Sequence, residues 1–218
     1  MLKIEDVKKS FGLKNVLNGI NLTLNKGEVY GLIGANGAGK TTLLNIVARV
    51  LNADVGKIFV DEKEIKIAND LKGLIGYIID IPALYDFLTP YEYLEFISSP
   101  LNLSKEKLKE KSDIVLKDVG LSDCGNKRIK TFSRGMKQRM GIAAGLISEP
   151  EIILMDEPMS ALDPQGRYEV MQIIEKLKQD GKTIIFSTHI LGDVEKVCDR
   201  VGILVNGKIQ VEGNIQDI

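Results

Sequence analysis

Histidine occurs once in these 218 residues and cysteine twice. Cys124 and Cys198 stand far apart, no CxxC pair exists, and one histidine is too few for a zinc site. The two thiols are expected to be reduced, as in a cytosolic chain. Long apolar runs are also missing, since none approaches the ~18 residues required to cross a bilayer. The opening stretch MLKIEDVKKS carries charges where a secretory leader needs an apolar segment, so no leader is expected. If the protein acts at a membrane, another chain does the spanning. Excess charge of either sign is lacking too, with 29 basic against 30 acidic side chains and a net charge of −1. That balance argues against a nucleic-acid partner. Internal repeats, low-complexity tracts and linkers are absent, which leaves one domain, residues 1–218, with room for a sizeable insertion.

What is present is patterned apolar sequence. INLTL (20–24) puts Ile20, Leu22 and Leu24 on one face of a strand, and EVYGLI (28–33) reads as a buried strand. Leu43, Val47, Val50 and Leu51 then recur at helical spacing, and GKIFV (56–60) returns to strand. The middle of the chain changes character. Thr89, Pro90 and Glu92 form a capping box with proline at the first helical position. Ser104 opens a second helix with Leu108, Val115, Leu116 and Val119 on one face and Gly120 closing it. Met136, Met140, Ala143, Ala144 and Ile147 stripe a third. The stretch from about 84 to 148 therefore reads as a helical insertion. Strand and helix alternate afterwards: EIILM (151–155), a helix from DPQG (163–166) with Val170, Ile173, Ile174 and Leu177 inward, and KTIIFST (182–188). Asn206-Gly207, between two alternating runs, is a hairpin signal. The predicted class is α/β, with a mostly parallel sheet, a small antiparallel element and the helical insert.

Chemistry enters at GANGAGKTT (34–42), which fits G-x-x-x-x-G-K-[ST] with a strand before it and a helix after it. The residues are Gly34, Ala35, Asn36, Gly37, Ala38, Gly39, Lys40, Thr41 and Thr42. Glycines let the backbone curl so that its N–H groups face phosphate oxygens, and the helix N-terminus favours the same anion. Lys40 is expected to reach β- and γ-phosphates and the Thr41 hydroxyl to ligate Mg²⁺. IILMDEP (152–158) ends an apolar strand in Asp156 and Glu157, at the carboxyl edge where such sheets bind ligands. Asp156 suits the second shell of Mg²⁺ and Glu157 the general base that activates water. Alone, a strand ending in two acids is weak evidence; beside a phosphate loop it is strong. His189 ends another strand. A lone histidine is commonly structural, but this position lets it hydrogen-bond the γ-phosphate and the attacking water.

FSRGMKQR (132–139) sets a serine and a glycine among cations ahead of an apolar helix, a second anion site that one phosphate loop leaves unexplained. GANGAGKTT, FSRGMKQR, IILMDEP, SALDP (160–164) and STH (187–189) follow one another in that order. In this the chain resembles, over essentially its whole length, the ATP-binding subunit of an ATP-binding cassette (ABC) transporter. The resemblance implies a P-loop NTPase core with an antiparallel β subdomain and an inserted helical subdomain. It also implies ATP and Mg²⁺ as cofactors, and a second subunit packed head to tail. Ser133 and Gly135 would then face the γ-phosphate held by that partner, Asp163 would cross to it, and Phe11 would stack on adenine. Phe11 is otherwise a core phenylalanine. A separate transmembrane permease, with the cassette on the cytoplasmic face of the membrane, completes the implied assembly. The alternative is a soluble ABC-type ATPase working as a nucleotide-dependent switch, but neither a long coiled coil nor a second cassette is present.

Three features depart from the family pattern. The usual L-S-G-G-Q signature reads F-S-R-G-M, with Phe132, Arg134 and Met136 substituted, similar to a subgroup of exporters related to bacitracin and lantibiotic resistance. Asp80 replaces the usual glutamine after IGYII, either as a ligand of metal or water or as a solvated loop acid. The cations Lys127, Arg128, Lys130, Arg134, Lys137 and Arg139 are read as a solvated face and an electrostatic surround for triphosphate rather than a nucleic-acid surface.

Overall fold

A computed structural model describes residues 1–217; Ile218, the last residue of the expected domain, lies outside the described residues. The chain opens with β1 (Leu2–Phe11), β2 (Lys14–Leu24) and β3 (Val29–Ile33), then α1 (Lys40–Val47). β4 (Val55–Val60), β5 (Lys63–Glu64) and β6 (Ile75–Ile78) lead into three helices, α2 (Pro90–Ser98), α3 (Lys105–Asp118) and α4 (Arg134–Leu146). Strand and helix alternate from there: β7 (Ile152–Met155), α5 (Pro164–Gln179), β8 (Thr183–Thr188), α6 (Leu191–Val197), β9 (Arg200–Val205) and β10 (Lys208–Asn214).

Two sheets result. The smaller is antiparallel in the order β2-β1-β4-β5. The larger runs β10-β9-β3-β8-β7-β6, parallel except for β10, as the mostly parallel α/β expectation requires. Alternation along the central strands assigns each face of this sheet. Tyr30, Leu32, Leu154 and Ile185 pack with α1 and the small sheet, whereas Val29, Ile153, Met155, Ile184 and Phe186 pack with the helical side. Strands buried on both faces read as nearly continuous apolar runs, which is why VYGLI and IILM carry no polar alternation. Parallel order sends β3, β7 and β8 out of the sheet at one edge, and their loops bring the chemical residues together.

Helix starts follow the sequence. Thr89 Oγ1 accepts the Glu92 N–H at 3.3 Å and Glu92 Oε2 accepts the Thr89 N–H at 2.7 Å. Ser104, Ser133 and Asp163 likewise cap α3, α4 and α5 through side-chain oxygens. Asn206 and Gly207 both take positive φ, 48° and 73°, as a two-residue hairpin demands.

One helix is shorter than its periodicity predicts. α1 stops at Val47, leaving Val50 69% exposed and Leu51 outside the helix. Arg49 turns left-handed at φ 56°, its N–H bonds Ile46 O at 3.1 Å, and the Val50 N–H bonds Asn45 O at 2.9 Å. This is a Schellman closure without glycine. The Arg49 guanidinium ties to the Ile65 carbonyl, which holds the residue in a conformation its own sequence would not advertise.

Candidate active site

The phosphate loop runs from the end of β3 to the start of α1. Gly34 N–H donates to Thr188 O at 3.2 Å and Ala38 N–H to Ala35 O at 3.1 Å. Gly39 sits at φ 111°, where a Cβ would also come within 2.8 Å of Leu17 Cδ2. At Gly34 a Cβ would lie 2.7 Å from Leu204 O, so β9 packs directly on the loop. Asn36 and Gly37 are exposed at the tip, while Lys40 is buried. Its Nζ donates to Gly34 O at 2.7 Å and Ala35 O at 3.3 Å, and lies 3.0 Å from Glu157 Oε1.

β7 supplies the acids. Asp156 is 3% exposed, its N–H held by Ile78 O at 2.8 Å. Ser187, at the end of β8, links both acids: its hydroxyl donates to Asp156 Oδ1 at 2.7 Å and accepts the Glu157 N–H at 2.9 Å. Glu157 adopts φ 46°, a left-handed conformation unusual outside glycine. That turn sends its carboxylate toward both Lys40 and His189, whose Nδ1 is 2.9 Å from Oε2. A carboxylate only accepts, so Nδ1 carries the hydrogen of this bond. Three strand ends thus place Lys40, Glu157 and His189 in one contact series.

Lys40 and Glu157 border a cleft of about 530 Å³ lined also by Phe11, Lys14, Val16, Asn36, Gly37, Gly39, Thr41, Thr42, Asp80 and Asp156. Phe11 is 51% exposed, with Lys9 Nζ 5.5 Å from its ring centroid, which excludes the core alternative. Asp80 is half-buried rather than a freely solvated acid, and its carboxylate accepts from Ser160 Oγ in the loop after Glu157. Behind the cleft Tyr77 Oη bonds Asn45 Oδ1 at 3.1 Å; burial first, then nearby Asp156, push its phenol pKa up, so it stays a donor.

Ser133, Gly135 and Asp163 do not border this cleft. Ser133 is exposed at the start of α4, where its Oγ accepts the Met136 N–H at 3.2 Å, and Asp163 is exposed at the start of α5. The two helix starts adjoin, since a Cβ on Gly135 would lie 3.9 Å from Gly166 Cα. Three of the six neighbouring cations are engaged with acids or carbonyls of the chain. Lys137 pairs with Asp86 at 2.7 Å, Arg128 with Glu92 at 2.8 Å, and Arg139 bonds Val119 O at 2.8 Å. Among the described residues no three His, Cys, Asp or Glu side chains gather into a metal cage. Ser187 went unrecognised in the sequence although it lies inside STH, because a serine ending a buried strand carries no signal until its two acidic neighbours are placed.

Comparison with known proteins identifies the family that this chain is similar to. The family model described as ABC transporter matches residues 17–160. The lantibiotic transport ATP-binding protein SrtF of Streptococcus pyogenes is 41% identical over 97% of this chain and 90% of its own length. The linearmycin resistance ATP-binding protein LnrL of Bacillus subtilis is 37% identical over 100% of this chain and 70% of its own length. Among solved structures, the dimeric post-hydrolysis state of the ATP-binding cassette MJ0796 bound to ADP and Pi superposes with a TM-score of 0.88 at 27% identity, covering 99% of each chain.

Proposed function

The chain belongs to the ABC transporter family as an ATP-binding subunit that hydrolyses ATP, and from that premise we propose that it powers a separate permease exporting a drug, peptide or other small solute. The names of SrtF and LnrL support lantibiotics and other antimicrobials as the class of cargo. The observation that carries the reading is the convergence of Lys40, Glu157 and His189 at the carboxyl edge of the parallel sheet.

Gly34 to Thr42 cradle the triphosphate, and Phe11 stacks on the base. Lys40 exchanges its bonds to Gly34 O, Ala35 O and Glu157 for the more strongly charged phosphate oxygens. Glu157, released from that cation, accepts a proton from water while His189 orients the attack. A hard cation fits the oxygen donors here. Thr41 and Asp156 both face the cleft, and Ser187 fixes Oδ1 of Asp156. Thr41 and Asp156 would hold Mg²⁺, with Asp80 as a third oxygen donor directly or through water, and the ion would supply neutralisation of phosphate charge.

Ser133, Gly135 and Asp163 complete the site of a second subunit, head to tail, so each nucleotide lies between one phosphate loop and one signature helix. Nucleotide drives closure because it contacts both halves only in the closed pair. We assign residues 1–218 to one cassette with a helical subdomain at about 84–148. No helix among the described residues is long and apolar enough to span a membrane. In this proposal the permease is a separate chain, with the cassette on its cytoplasmic face. Tyr85, Phe87 and Phe96 offer that partner an exposed aromatic surface, with Tyr85–Phe87 and Tyr85–Phe96 centroids 5.7 and 5.4 Å apart. It adjoins Asp80 in the chain, and so the loop that reaches the cleft.

The decisive experiment is Glu157→Gln. It is expected to bind ATP, lose turnover by at least a hundredfold and accumulate as a dimer in size-exclusion chromatography with ATP. Hydrolysis at the parent rate would remove Glu157 from the role of base.

A further inference from the structure

A hydrogen-bonded bridge joins the turn that bears His189 to the start of α5. Asp193, on α6, is 5% exposed. Its Oδ1 accepts from Arg167 Nη2 at 2.6 Å and its Oδ2 from Thr188 Oγ1 at 3.2 Å. Thr188 is also buried, and its hydroxyl accepts the Ile190 N–H at 3.1 Å, so a side-chain turn spans His189. Thr188 O takes the Gly34 N–H as well, at 3.2 Å. On the far side, Arg167 N–H donates to Asp163 O at 3.0 Å, and the Gly166 N–H to the Asp163 carboxylate at 2.8 Å. One carboxylate therefore connects the turn bearing His189 with the start of α5.

Stability does not account for a charge in this place. Only the carboxylate is buried, the Arg167 side chain being 29% exposed; burying a charge costs desolvation that its attraction to a partner often does not exceed. α6 is already anchored by Val194 and Val197, both in the core. What two directed bonds to one carboxylate provide, and apolar contact does not, is a fixed relative placement of the groups they join.

We propose that Asp193 is a positioning residue for ATP hydrolysis, holding His189 against Glu157 and fixing that pair relative to Asp163 at the start of α5. The inference rests on the proposed roles of His189 and Glu157. Asp193 does not border the cleft; it acts through the turn that Thr188 closes.

The test uses the full chain, with phosphate release for kcat and KM and titration of a fluorescent ATP analogue for Kd. Asp193→Asn removes the charge at constant size. It is expected to lower kcat by about tenfold to a hundredfold and leave Kd at the parent value. Thr188→Val acts in the same direction, whereas Thr188→Ser, which keeps the hydroxyl, retains the parent rate. In a His189→Ala background Asp193→Asn adds no further loss, because both work through one side chain. Where Asp193→Asn fails to fold, Thr188→Val and its serine control carry the same comparison. Parent kcat in Asp193→Asn, losses that multiply with His189→Ala, or weakened binding at unchanged kcat each overturn the proposal. If His189→Ala itself turns over at the parent rate, the proposed role of His189 falls together with it. If only Asp193→Asn does, the bridge alone is refuted.

Discussion

Phe11 presents a large apolar ring to solvent at the end of β1, where burial cannot be its purpose. Its ring borders the same cleft as Lys40 and Thr41. Stacking of an aromatic side chain on a base is worth roughly 1–3 kcal/mol, whereas truncating an exposed side chain changes stability by no more than about 0.5 kcal/mol. Phe11→Ala is therefore expected to weaken ATP binding by about tenfold or more in isothermal titration, at unchanged melting temperature. Equal affinity in the variant would take the adenine away from Phe11. At this scale the sequence was most informative where chemistry restricts the residue type. A lysine closing a phosphate loop, or acids ending an apolar strand, have few substitutes. Ser187, Thr188 and Asp193 have many, and only their partners at 2.7, 3.1 and 2.6 Å distinguish them from ordinary serine, threonine and aspartate.

At the scale of elements, α2 begins where local chemistry places it. Proline at the first helical position and reciprocal Thr89–Glu92 bonds satisfy N–H groups that the helix cannot. The Thr89 N–H, first, and Arg128 more weakly hold the Glu92 carboxyl below its usual pKa. The Arg128 guanidinium also bonds Phe87 O at 2.5 Å, so the cap steadies the loop carrying the exposed aromatics. Thr89→Ala is expected to cost about 1 kcal/mol, a drop in melting temperature of roughly 2–4 °C, while Thr89→Ser keeps most of the stability. An unchanged melting temperature in the alanine variant would show that the packing of Leu94 and Tyr93 alone sets this helix. α1 marks the opposite case. Periodicity carried Val50 and Leu51 into the helix because nothing local announces its end. The stop depends on Arg49 reaching Ile65, a contact sixteen residues away that no window of sequence contains.

At the scale of the molecule, the arrangement of the two anion sites decides how the protein works. The phosphate loop opens on a cleft bordered by β2, β3, β6 and β7 with their loops, whereas Ser133 stands exposed on α4, outside that border. In the proposed head-to-tail dimer the γ-phosphate contacts both, so each chain would donate a different half to each of two shared sites. The consequence is complementation. Lys40→Ala disables the loop of its own subunit, and Ser133→Arg blocks the site on its neighbour. Either variant alone assembles only broken sites and is expected to lose hydrolysis. In a mixed dimer the intact loop of the Ser133→Arg subunit meets the intact signature of the Lys40→Ala subunit, restoring one site of two. Equimolar mixing makes about half the dimers mixed, so activity recovers to about a quarter of the parent if the sites turn over independently. Phosphate release followed against mixing ratio measures this directly, with a maximum at one to one. A flat, inactive profile would mean that one restored site does not turn over alone. Full activity of Ser133→Arg by itself would mean that the nucleotide is gripped within a single chain, and the shared-site assembly would have to be abandoned.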